Sequence, residues 1–89
     1  MFEIVVQAIF KISGRGTVVT GEILNGETNL RNGDVLTSKD NIQQKVLVKS
    51  IELINFGSRQ DINFNRMGFL TDMTEEVGAT LIGKTLYKD

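Results

Sequence analysis

The segment Gly78-Ala79-Thr80-Leu81-Ile82-Gly83-Lys84-Thr85 fits the pattern G-x-x-x-x-G-K-[ST]. In that pattern loop amides cradle phosphates while the lysine and hydroxyl serve phosphate and magnesium. The chemistry needs a buried strand before the loop and a helix after it, because the helix N-terminus supplies much of the anion binding. Here Thr71 to Val77 is polar and acidic, and Leu86, Tyr87, Lys88 and Asp89 follow, so the match predicts no nucleotide site. Gly14-Arg15-Gly16 falls short of the dinucleotide fingerprint, with Val19 in the place of the third glycine. Gly16 to Gly21 has phosphate-loop spacing but continues Glu22-Ile23. Glu75 and Glu76 are adjacent rather than facing, a poor geometry for an acid/base pair, and read as a solvated turn. With no cysteine and no histidine, the chain has no disulfide, Cys/His zinc site, Ser/His/Asp nucleophile or histidine proton relay. The sequence therefore predicts no enzyme, no catalytic residue, no metal and no cofactor.

The elements that would position any other site are short. The 89 residues predict a single domain, 1–89, and 40% apolar with 24% charged residues suit a folded globular chain. Nine glycines and no proline fall between apolar segments rich in Val, Ile, Phe and Thr, a β composition. Phe2, Ile4, Val6, Ala8, Phe10 and Ile12 alternate with a mixed set, predicting one strand with that face on the core. Ser13-Gly14-Arg15-Gly16 then predicts a hairpin into a strand over Thr17 to Leu24. Asn25-Gly26 and Asn32-Gly33-Asp34 are turn signals, Val35 to Thr37 a short strand, and Ser38 to Gln44 a polar loop.

Lys45 to Phe56 forms the longest strand candidate, with a phase change near Lys49 and Ser50 that suggests a bulge. Gly57-Ser58-Arg59 turns the chain, Arg66 to Thr71 is a strand, Thr74-Glu75-Glu76 a capped helical turn, and Leu81 to Tyr87 a closing strand. No helical period is sustained. The pattern predicts an all-β fold, a small Greek-key barrel or sandwich.

The run Phe10-Lys-Ile12-Ser-Gly14-Arg15-Gly16-Thr17-Val18-Val19-Thr20-Gly21 resembles the second domain, a β-barrel, of elongation factor Tu and its relatives, the translation GTPases. The resemblance continues through Gly26, Leu30-Arg-Asn-Gly33-Asp34, Val48, Ser50-Ile51-Glu52 and Met67-Gly68-Phe69-Leu70 to Gly83 and Leu86. It implies a small closed six-stranded Greek-key β-barrel of the translation-protein type. In that family the domain helps hold the 3′ adenosine of aminoacylated tRNA, and in relatives it touches ribosomal RNA.

Residues matching the family's adenosine pocket are Ile12, Val18, Glu52 and Leu70, and Arg15 at the hairpin tip could contact phosphate. Apolar side chains cover a base face, and a carboxylate accepts from sugar or base donors. Each has a structural alternative: Ile12, Val18 and Leu70 as strand packing, Glu52 as an outward ion pair, Arg15 as a solvated tip. The chain departs from the family in the length between Gly26 and Leu30, in Asn55 for an arginine, and at Ile62 to Asn65.

The resemblance implies a free-standing, non-enzymatic module that contacts RNA, either the tRNA 3′ end or ribosomal RNA, or the translation machinery. The alternatives are a protein-interaction module mimicking a translation-factor domain, or a piece of a larger translation GTPase. A net charge of -1 gives no general polyanion surface, so any RNA contact must be local and DNA is not expected. The apolar start Ile4 to Phe10 is shorter than a bilayer span, has no positive n-region and is interrupted by Gln7. Neither export nor a membrane partner is expected, and the cytoplasm is the expected location.

Overall fold

The structure, a computed structural model, describes residues 1–25, 30–52 and 66–88. β1 (Phe2–Ile12) and β2 (Gly16–Asn25) form the expected hairpin, and β2 carries on to pair antiparallel with β6 (Arg66–Thr71). β1 pairs on its other side with β7 (Thr85–Lys88), which pairs in turn with β3 (Val35–Ser38). β3 pairs with β4 (Lys45–Leu47), and β6 with β5 (Ser50–Glu52). Among the described residues the result is one antiparallel sheet of seven strands in the order β4-β3-β7-β1-β2-β6-β5. The fold is all-β, but among the described residues the strand order has two ends, so the closed ladder of the expected six-stranded barrel is not seen.

The extra strand comes from division of the expected strand Lys45 to Phe56. The phase change near Lys49 is a change of pairing partner rather than a bulge within one ladder. The Val48 amide donates to the Asp34 carbonyl at 2.8 Å, and the next amide, Lys49, donates to the Leu70 carbonyl at 2.8 Å. Two residues thus carry the chain from one end of the strand order to the other. Residues 53–56 of that candidate, the turn at Gly57 to Arg59, Asn55, Ile62 to Asn65 and Gly26 lie outside the described residues.

β1 also departs from simple alternation. Its register against β2 shifts between Val6 and Ala8. Because side chains alternate with a period of two, a one-residue shift exchanges the faces. Phe2, Ile4 and Val6 are buried in the core, as expected, but beyond the shift Ile9 packs against that core and Phe10 is 51% exposed. The core is completed by Val19, Leu36, Val46, Val48, Phe69 and Leu86.

Gly21 sits where the sheet allows no side chain, since a Cβ there would collide with the Val5 carbonyl and the Ile4 side chain. Gly16, at φ +128°, turns the hairpin into β2 in a conformation L side chains avoid.

The capped turn is a five-residue helix, α1 (Glu75–Ala79), with the Thr74 hydroxyl accepting from the Val77 amide at 3.2 Å. The closing strand begins later than expected. Leu81 to Gly83 form a turn, tied to β1 by Gly83 N–H to the Val6 carbonyl at 2.8 Å and Val6 N–H to the Lys84 carbonyl at 2.9 Å. Among the described residues no helix is long and apolar enough to cross a membrane.

Candidate functional site

Two cross-strand rows build one face of the sheet. Phe10 lies opposite Val18, Val18 opposite Leu70, and Leu70 opposite Ser50. In the next row Ala8, Thr20, Gly68 and Glu52 stand opposite one another in turn. The rows are two residues apart on every strand, so their side chains share a face, and that face is opposite to the one bearing Val19 and Phe69. Val18 and Leu70 are nevertheless only 1% and 7% exposed, and neither belongs to the main core cluster. They form a separate buried apolar floor. Ile12, opposite Gly16 at the end of β1, is partly buried on the same face, and the Leu70 side chain leans toward Gly16.

Glu52 and Arg15 meet over this face. The Arg15 guanidinium donates to Glu52 Oε2 at 3.0 Å, and the Ser50 hydroxyl donates to the same oxygen at 2.7 Å. Arg15 belongs to the β1–β2 tip and Glu52 to β5, with β6 between them in the strand order. The arginine side chain therefore lies back across β6, and the carboxylate leans toward Ser50. The Ser50 hydrogen bond, then that of Arg15 and its charge, hold the Glu52 carboxyl below the usual carboxylate range against the opposing effect of burial.

The structure thus brings together Arg15, Val18, Glu52 and Leu70, with Ile12 at the edge. Glu52 forms the expected ion pair, and that pair lies beside the Val18 and Leu70 floor. Two members are new. Ser50 could have been found from the Ser-x-Glu spacing, which on a strand puts both side chains on one face. The other is Phe10, expected in the core, and the alternation of β1 carries no signal against that, since Gln7 falls on the face expected to be mixed.

The arrangement offers the exposed Phe10 ring, a carboxylate acceptor and a guanidinium donor within one neighbourhood, beside a Val18 and Leu70 floor that is itself closed to solvent. Among the described residues no group of acidic, His or Cys side chains could hold a metal ion. The segment Gly78 to Thr85 runs from α1 through a turn into β7, and Lys84 Nζ is paired with Asp40 Oδ2 at 2.7 Å. A strand stands where a phosphate loop needs a helix. No protein-family model matches the chain, and no curated protein and no solved structure matches it.

Proposed function

We propose that this chain is a non-enzymatic RNA-binding module, similar to the second domain of the translation GTPases, that contacts the tRNA 3′ end or ribosomal RNA. Its sheet is read as a variant of that family's six-stranded Greek-key barrel, with β4 and β5 counted as one bent strand. Support for this comes from the two-residue link at Val48 and Lys49, whose amides bond to the two sides of the gap. The observation that carries the functional reading is the Arg15–Glu52–Ser50 cluster beside the Val18 and Leu70 floor. A base stacked on the exposed Phe10 ring, over the buried Val18 and Leu70, exchanges water for apolar contact, the carboxylate accepts from a sugar or base donor, and Arg15 turns toward phosphate.

A protein-interaction module is the second reading, favoured by the exposed Phe10 ring beside Val18 and by a near-neutral net charge. The test is capture of the tagged protein from extract of its source organism, with and without RNase, using wild type and Glu52→Ala. The RNA reading expects tRNA or ribosomal RNA in the wild-type eluate and its depletion with the variant. Recovery of one protein regardless of RNase, with no RNA enriched, overturns it in favour of the second reading.

A further inference from the structure

A second concave site lies away from this face, between the loop after β3 and the turn before β7. It is a cleft of about 280 Å³ lined by Ser38, Asp40, Asn41, Gln44, Thr80, Leu81 and Lys84. That volume is near the lower end of small-molecule sites, roughly 300 Å³. Both walls are held by backbone bonds. On one side the Gln44 amide donates to the Asn41 carbonyl at 2.9 Å and the Ser38 amide to the Gln44 carbonyl at 3.1 Å. On the other the Lys84 amide donates to the Leu81 carbonyl at 2.8 Å, and Lys39 N–H to the Thr85 carbonyl at 2.9 Å fastens the two together. The cleft is therefore preformed. Leu81 is a buried apolar residue among polar neighbours, and Asp40 and Lys84 form an ion pair with both side chains substantially exposed.

We propose that this cleft binds a small zwitterion of the free α-amino acid type. A simple anion that approaches Lys84 also meets the Asp40 carboxylate, and a simple cation that approaches Asp40 also meets Lys84. A ligand carrying both charges escapes this conflict. It opens one ion pair and closes two, its ammonium on Asp40 and its carboxylate on Lys84, while the Gln44 side-chain amide and the Asn41 NH2 supply neutral hydrogen-bonding groups, the Asn41 oxygen and the Thr80 hydroxyl proton being bonded to the Gln43 amide and the Val77 carbonyl. The same geometry sets a carboxylate against the lysine of Gly83-Lys84-Thr85, which disfavours a triphosphate there. This inference is independent of the RNA reading, since none of its residues belongs to the Arg15–Glu52 face.

The experiment is a titration of the isotopically labelled full chain with L-alanine, propionate and isopropylammonium at constant ionic strength, followed by backbone amide shifts. L-alanine is expected to give saturable shifts at Asp40, Asn41, Gln44, Thr80 and Lys84. Each single-charge analogue should bind about threefold or more weakly, as should L-alanine to Asp40→Asn or Lys84→Gln. The unchanged remainder of each variant's spectrum checks that it is folded. Propionate binding as well as L-alanine would overturn the proposal in favour of a plain anion site, isopropylammonium binding as well would make it a cation site, and absence of saturable L-alanine shifts would remove it.

Discussion

The surroundings of Glu52 and Asp34 favour their charged forms. Asp34 accepts from Lys88 Nζ at 2.8 Å and from the Arg31 amide at 2.8 Å, and these bonds, Lys88 first, hold its carboxyl below the usual range. A carboxyl depressed in the folded state binds fewer protons there than in the unfolded chain, so stability rises with pH across the interval between the two values. The contribution is fully present above the unfolded carboxyl value, about 4, and is lost as pH falls through the lower folded value. Urea midpoints of wild type and an Asp34→Asn, Glu52→Gln variant are thus expected to differ at pH 7 and to converge toward pH 2. A gap that persists unchanged at low pH would mean these carboxylates do not act through charge. Phe10 gives a second prediction: Phe10→Ser, at a half-exposed ring, should cost less than the roughly 3 to 5 kcal/mol typical of emptying a buried aromatic site, the range expected for Phe69→Ala.

At the scale of elements, the hairpin and its turn glycines were legible in the sequence because local chemistry fixes them. Gly14 and Gly16 take the positive φ that the turn spacing announces, whereas the exclusion of a Cβ at Gly21 comes from the Val5 carbonyl on the facing strand and has no local signal. Gly21→Ala should destabilise by about 1 to 3 kcal/mol, since the Val5 carbonyl is backbone and cannot swing aside. Equilibrium unfolding checks that figure. Thr74→Ala removes the acceptor for the Val77 amide and should cost roughly 1 kcal/mol, seen as faster hydrogen exchange across α1 with little change in the central strands.

What the sequence left hidden was set by pairing partners. The division of Lys45 to Glu52 into β4 and β5 depends on which neighbour each half meets. The reversal of Phe10 depends on a register shift that the apolar run of β1 obscures, because Val5 and Ile9 make both faces plausible cores. The Arg15–Glu52 contact spans 37 residues of chain, so no local pattern could announce it.

Across the whole molecule, charge bounds the kind of partner. Ten basic and eleven acidic residues give a net charge of -1, and Arg15, Lys84 and Lys88 are each held in an ion pair. RNA binding through the Val18 face should therefore weaken with salt on a shallow slope, with few phosphate contacts, rather than the steep slope of a basic domain. A steep slope would place the contact elsewhere. On the proposed RNA reading the Phe10 ring and the ion pair would supply most of the selectivity, so where RNA binds is a sharper test of that reading than how tightly it binds.

The most direct measurement is amide-shift mapping of the labelled protein during titration with deacylated tRNA at low salt. The account predicts shifts centred on Ile12, Arg15, Val18, Ser50, Glu52 and Leu70, abolished by Glu52→Ala in a variant whose spectrum is otherwise unchanged. Shifts confined to another face, or none at all with both tRNA and ribosomal RNA, would contradict it.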